Sequence, residues 1–315
     1  MSETNAIVKK LSIVIPVYFN AESLPTLATR IVALETALLS KNMTLELIFV
    51  DDGSGDTSLD ELLKIKESRP DTKVIKLTRN FGAFKAVKCG VGFVTGDCFM
   101  MLVADLQDPP ELIPQMVESW RAGSKFTICE RSSREDPIIS KIFSNLYYWL
   151  LRRLVIRDYP AGGYDVALMD RSLLQYFLHS SKNMYAPMLG FWLGYRPTVI
   201  RYHRAKRQHG KSRWTFWKKF NASLDILLGY SATPIRLMSG IGLLVATLSF
   251  SYGVLVTIKA LFGKIPVAGF ASIAALITFL LGLVIVMLGL IGEYLWRVFD
   301  EVNQRPEVII DEIFD

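Results

Sequence analysis

The sequence predicts an α/β domain on a mostly parallel sheet, then a juxtamembrane amphipathic helix and two transmembrane helices. Three observations predict it. Up to residue 103, short β-branched apolar runs alternate with stretches of helical periodicity. Polar clusters stand directly after several of those runs. Beyond Pro234, residues 237–258 and 265–292 are uncharged, and each exceeds the roughly 20 apolar residues that cross a bilayer core.

Residues 11–16 (LSIVIP) read as a buried strand, and residues 21–39 as a helix through Leu24, Leu27, Ile31, Leu34 and Leu38. A strand at 45–50 (LELIFV) ends on Asp51-Asp52-Gly53-Ser54. A helix at 57–67, a strand at 73–78, a helix at 83–94 and a strand at 98–103 continue the alternation. Unbroken apolar strands of this kind belong to a parallel sheet covered on both faces, which binds ligands beyond its carboxyl ends. Residues 138–156 and 214–229 are amphipathic, aromatic and basic. Such stretches pack on a sheet or lie in a membrane interface, and the position of 214–229 favours the interface.

The predicted organisation is a cytoplasmic domain at 1–213, an interfacial helix at 214–233, a transmembrane hairpin at 234–296 and a cytoplasmic tail at 297–315. The tail is expected to pack back on the first domain or to fray. Residues 1–10 lack the apolar core of a signal peptide. Lys218, Lys219 and Arg236 precede the first span and Arg297 follows the second, whereas the hairpin holds only Lys259 and Lys264. That bias puts both flanks in the cytoplasm of a multi-pass inner-membrane protein. The net charge of +6 then points to anionic headgroups and phosphorylated substrates, with no nucleic-acid partner. Cys89, Cys98 and Cys129 lack metal-ligand spacing and read as reduced, mostly buried thiols.

Four clusters could do chemistry. Asp51 and Asp52 can accept hydrogen bonds from a base or ribose, or serve the turn that Gly53 and Ser54 imply. Asp105 and Gln107, two apart in a segment expected to be extended, share a face and suit Mg²⁺ or Mn²⁺ with diphosphate oxygens. Asp108, with Pro109 and Glu111, reads as a helix capping box. Asp165 precedes a strand at 166–169. A basic segment containing Arg204, Arg207, Ser212 and Arg213 is either a solvated face or a phosphate clamp. Gly90, Gly92 and Gly96 are no dinucleotide fingerprint, because the last spacing is one residue too long and the motif ends a helix.

Taken in order, VIPVY at 14–18, VDDGS at 50–54, TRNFG at 78–82, ADLQDPPE at 104–111 and LMDR at 168–171 resemble the inverting family 2 glycosyltransferases with a GT-A nucleotide-sugar-binding fold. The dolichyl-phosphate mannose synthase type and the bactoprenol glucosyltransferases are the nearest in pattern. The resemblance implies that Pro16, Tyr18 and Glu22 border the nucleotide, with Asp51 and Asp52 on base and ribose. It implies Asp105 and Gln107 on a divalent metal, with Asp105 also against the nucleotide-sugar, and Arg131 and Asp165 as catalytic groups. Arg204, Arg207, Ser212 and Arg213 then meet the phosphate of a polyprenyl lipid. The implied reaction transfers a sugar from a nucleotide-sugar to undecaprenyl phosphate, with UDP-glucose the best match as donor and UDP-GlcNAc, UDP-galactose and GDP-mannose the alternatives, in a protein that can form homo-oligomers. Val103 and Ala167 stand where the family has an aspartate and an arginine, and Phe19-Asn20 replaces its Asn-Glu. These departures point to an altered donor, or to the alternative of a silent scaffold partnering a flippase or second transferase. A processive polysaccharide synthase is disfavoured by the absence of a Gln-x-x-Arg-Trp segment.

Overall fold

Continuous burial of β1 (Lys9–Val17) marks the centre of the molecule: Leu11, Ile13, Val14, Ile15 and Val17 are all fully buried, as a strand covered on both faces requires. The structure is a computed structural model and describes residues 8–131, 138–160, 163–182, 188–202, 223, 226, 228–262 and 269–315. The chain continues through α1 (Leu24–Leu39), β2 (Met43–Asp51), α2 (Ser58–Ser68), β3 (Lys73–Leu77), α3 (Ala83–Val91) and β4 (Cys98–Met101). Then come α4 (Ile113–Arg121), β5 (Phe126–Arg131), α5 (Ile138–Leu154), β6 (Tyr164–Asp170), α6 (Leu174–Leu178), α7 (Leu189–Trp192) and β7 (Thr198–Tyr202). Two long helices, Thr233–Leu261 and Phe270–Val302, precede a last strand, β8 (Ile310–Phe314).

One eight-stranded sheet has the order β7-β5-β6-β4-β1-β2-β3-β8. Strands β1 to β5 and β7 point the same way, while β6 and β8 oppose them. Val17, Asp51, Leu77, Met101, Arg131 and Tyr202 therefore all end strands on one carboxyl edge. The amino ends of β6 and β8 enter that same edge.

The helices follow from the sequence pattern. In α1, Leu24, Leu27, Ile31, Leu34 and Leu38 form the buried stripe, and Pro25 opens the helix where its missing N–H is harmless. Gly90 brings α3 onto the sheet: a Cβ there would stand 2.5 Å from Val14 Cγ1 and 2.8 Å from Val50 Cγ2. A Cβ on Gly96 would stand 2.5 Å from Ser12 Oγ. Close packing thus accounts for two of the glycines whose spacing superficially suggested a fingerprint. Cys98 and Cys129 are buried thiols, Cys129 Sγ donating to Met116 Sδ at 3.5 Å, and burial pushes the half-buried Cys89 up to about 11.

Three strands, β5, β7 and β8, were not expected from the sequence. β8 pairs antiparallel with β3, through Leu77 opposite Ile310 and Ile75 opposite Ile313. The chain falls into two compact units, Met1–Asp225 with Pro306–Asp315, and Ile226–Arg305. The second unit holds the two long helices. Thr233–Tyr252 and Phe279–Val302 are long and apolar enough to cross a membrane, and neither window is buried. Gly242 of the first helix faces Met287 of the second, where a Cβ would come within 3.0 Å of its methyl carbon. A small residue at such a crossing lets two helices approach closely. The predicted interfacial helix at 214–229 lies mostly outside the described residues.

Candidate active site

Strand directions bring most of the predicted site residues to the carboxyl edge. At the end of β2, the Asp52 amide donates to Val17 O at 2.8 Å, which fixes the two strand ends together. Gly53 then turns with φ +69°, and a Cβ there would meet the Arg79 backbone at 2.5 Å. Only glycine fits both demands. The Asp52 carboxylate accepts from the amides of Phe81 at 2.7 Å and Gly82 at 3.0 Å, tying the loop after β3 to the end of β2. Asp51 accepts from the Ser54 amide at 3.3 Å. Both aspartates are nearly sealed, at 1% and 2% exposure. Burial pushes both carboxyls above the ordinary carboxylate range, against the hydrogen bonds of Ser54 to Asp51 and of Phe81 and Gly82 to Asp52. The turn and the binding readings of this cluster are therefore compatible: Asp52 clamps a loop, and both groups gain from further hydrogen-bond donors.

Pro16 lies in β1 opposite Val50, and Tyr18 follows the strand end, its amide donating to Asn20 Oδ1 at 3.0 Å. Glu22 is exposed in the turn before α1. Phe19 adopts φ +54°, unusual for an aromatic residue. Its amide donates to Ser54 Oγ at 3.1 Å, and its ring meets Tyr18 edge-on at 4.7 Å. Residue-by-residue reading missed Phe19 and Arg79 as site-forming residues and gave Ser54 only a turn role. The available signals were the departure at Phe19-Asn20 and the VDDGS and TRNFG motifs that contain Ser54 and Arg79.

The loop after β4 corrects two expectations. Leu102 continues the ladder by donating to Val14 O at 3.0 Å, but the chain then turns. Leu106 takes φ +61° and sinks into the core at 1% exposure, leaving Asp105 and Gln107 partly exposed. The segment is not extended: the chain turns at Ala104 and Asp105, and Leu106 sits in the left-handed region. Asp105 Oδ1 accepts from the Gln107 amide at 3.2 Å. Asp108 is not a helix cap. The short 3-10 turn Pro110–Leu112 is preceded by an extended Pro109 without a side-chain cap bond, and α4 starts after Leu112. Instead, buried Asp108 accepts a hydrogen bond from the Tyr202 hydroxyl at 2.7 Å.

Arg131 closes β5 opposite Tyr202, and Asp165 lies near the amino end of β6, so both backbones reach the same edge. Arg204, Arg207, Ser212 and Arg213 lie outside the described residues. On α5, Leu151 is buried and Tyr148 stacks on Tyr159 at 6.0 Å. Trp149, Arg152, Arg153 and Arg157 line an open hollow of about 200 Å³, with Trp149 55% exposed. Among the described residues, no group of three or more His, Cys, Asp or Glu side chains could hold a metal ion.

Residues 12–174 match the model described as glycosyl transferase family 2. The chain belongs to glycosyl transferase family 2. An uncharacterized glycosyltransferase of Synechocystis is 33% identical to it over 97% of this chain and 96% of its own length. The SfII prophage-derived bactoprenol glucosyl transferase of Shigella flexneri is 31% identical, covering 96% and 97%. The undecaprenyl-phosphate 4-deoxy-4-formamido-L-arabinose transferase of Yersinia pestis is 34% identical, covering 98% and 95%. These matches run through the two long helices as well as the sheet unit. In this family 2 enzyme, the matched segment begins in β1 and ends in α6, so it contains Asp51, Asp52, Asp105, Arg131 and Asp165.

Proposed function

We propose that this family 2 glycosyltransferase moves a sugar from a nucleotide-sugar to polyprenyl phosphate with inversion, and that the sugar is glucose carried on UDP. The observation that carries the reading is the convergence of the acidic, amide and basic groups on one carboxyl edge. The relatives add the acceptor class. Two of them name a polyprenyl lipid while differing in the sugar, one glucosyl and one formamido-arabinose.

In this reading Phe19 and Tyr18 border the base. Asp51 and Asp52 face the nucleoside, whose N–H and hydroxyl donors relieve the burial of their charge. Asp105 and Gln107 supply one carboxylate and one amide oxygen. That donor set suits Mg²⁺ or Mn²⁺ when diphosphate oxygens and waters complete the shell. When bound, the cation neutralises charge on the departing diphosphate. Arg131 contributes to the same task as a fixed cation.

A lipid phosphate oxygen forms the new bond to the anomeric carbon as the bond to the nucleotide diphosphate breaks, its electron pair leaving with the diphosphate. A phosphate monoester is already anionic near neutral pH, so Asp165 orients the acceptor and need not remove a proton. Arg204, Arg207, Ser212 and Arg213 hold the lipid phosphate. The two apolar helices anchor the enzyme as a multi-pass protein of the inner membrane, with the catalytic unit in the cytoplasm. The exposed Trp149 and arginines of α5 suit the headgroup layer.

The test compares polyprenyl phosphate with the corresponding free polyprenol as acceptors and determines the product's anomeric configuration by NMR. Transfer to the phosphate alone, with inversion, supports the reading. Equal transfer to the free alcohol, or retention, overturns it.

A further inference from the structure

The chain's last residues, Pro306–Asp315, follow the second long helix yet belong to the sheet unit. Their strand, β8, covers the outer edge of β3. Where β3 gives way to residues 78–82, the Thr78 amide donates to Ile309 O at 3.0 Å. The same loop is held from its other end by Asp52, through the amides of Phe81 and Gly82. Within it, the Arg79 guanidinium lies over the Phe81 ring at 4.2 Å.

Three ion pairs fasten the C-terminal segment. Lys73 meets Asp315 at 2.5 Å, Lys76 meets Asp311 at 2.5 Å, and Lys88 meets Glu307 at 2.6 Å. Their settings differ. Lys88 and Glu307 are the most shielded, at 15% and 24% side-chain exposure, and shielded pairs count for more than exposed ones. Lys88 sits on α3 and Thr78 follows β3, the two elements that residues 78–82 connect. Glu307 and Ile309 therefore grip both sides of the loop.

We infer that the C-terminal segment is a positioning strap for the donor-nucleotide loop, with Glu307 as its principal fastening. The inference rests on the donor-site reading of Asp52 and its neighbours. Without the strap, β3 becomes an open sheet edge and residues 78–82 lose the Thr78–Ile309 tie, leaving the Asp52 clamp and the start of α3 to hold them, so the loop opens more often. Donor binding then weakens, while acceptor binding does not.

The test uses the full chain in phospholipid nanodiscs, with variants Glu307→Gln, Glu307→Lys, Lys88→Glu and the Lys88→Glu/Glu307→Lys double reversal. Amide hydrogen exchange is read at 78–82 and, as a control for folding, in β1 and β2. Donor and acceptor KM are measured in parallel. Glu307→Lys is expected to speed exchange at 78–82 and raise donor KM by about fivefold. Acceptor KM and exchange in β1 and β2 stay as in wild type, and the double reversal restores much of the loss. Glu307→Gln gives a smaller change in the same direction. Unchanged exchange at 78–82 in both Glu307 variants overturns the strap, as does a double reversal no better than either single one. Failure of the wild type to bind any nucleotide defeats the donor-site reading instead, and loop exchange still decides the strap.

Discussion

The Tyr202 hydroxyl donates to Asp108 Oδ1 at 2.7 Å, in a buried hydrogen bond between the end of β7 and the loop after β4. Asp108 follows Asp105 and Gln107 directly in chain, and Tyr202 precedes the basic segment from 203 onward. One bond thus ties the candidate diphosphate loop to the strand that leads into the candidate acceptor segment. Tyr202→Phe removes the donor and keeps the ring. Stripping a partner from a buried carboxylate costs about 1–3 kcal/mol. The variant is expected to melt at lower temperature and to turn over more slowly. Wild-type melting would mean that this bond is energetically idle.

Asp52 is expected to act on the donor both by facing the nucleoside and through the loop it clamps. Asp52→Ala frees the Phe81 and Gly82 amides, so donor KM should rise about tenfold, the ratio set by ~1.4 kcal/mol, with acceptor KM unchanged. Steady-state kinetics with each substrate varied in turn checks this. A rise in acceptor KM alone would remove the loop clamp from the account.

Burial raises the carboxyl of Asp51, so its folded value lies above its unfolded one. Its contribution to stability is then fully present below the unfolded value and is lost as pH rises through the folded value. Asp51→Asn cannot ionise. The variant should therefore be more stable than wild type near pH 7, with the gain vanishing as pH falls below the usual carboxylate range, and it should bind donor less well. Melting curves across pH check the sign. A variant less stable than wild type at pH 7 would contradict it.

Asp105→Ala removes the one carboxylate of the candidate metal pair. Turnover that depends on Mg²⁺ or Mn²⁺ should be abolished while the melting temperature changes little, because Asp105 is partly exposed. Full metal-dependent activity would move the cation elsewhere.

Gly90→Ala tests the packing of α3. The new methyl overlaps Val14 and Val50 side chains, so the variant should lose about 1–3 kcal/mol in chemical denaturation. Catalysis per folded molecule should be unaffected.

The parallel half of the sheet was readable because each of its strands is a short apolar run followed by a helix of matching period. Strands β5 and β7 carry mixed polar sequences, FTICER and TVIRY, whose burial is decided by neighbours distant in sequence. β8 was hidden for a further reason. Its pairing with β3 is fixed partly by lysines meeting Asp311 and Asp315, and an acidic tail shows nothing of that partner. At the site, the positions of Asp51, Asp52 and Asp105 followed from strand ends. The turn at Leu106 and the tie from Asp108 to Tyr202 did not, since a left-handed leucine has no signature in the sequence and the tie depends on a strand ninety-odd residues away. The order of the motifs, more than any one of them, carried the family.

The central claim is transfer of a sugar to a polyprenyl phosphate. Its most direct test incubates detergent-purified protein with undecaprenyl phosphate, Mg²⁺ or Mn²⁺ and a panel of radiolabelled nucleotide-sugars. Label is predicted to enter the lipid phase from UDP-glucose, and to stay in water when Asp105→Ala replaces the wild type. Absence of lipid-borne label from every donor, with the protein folded and the acceptor intact, would contradict the account.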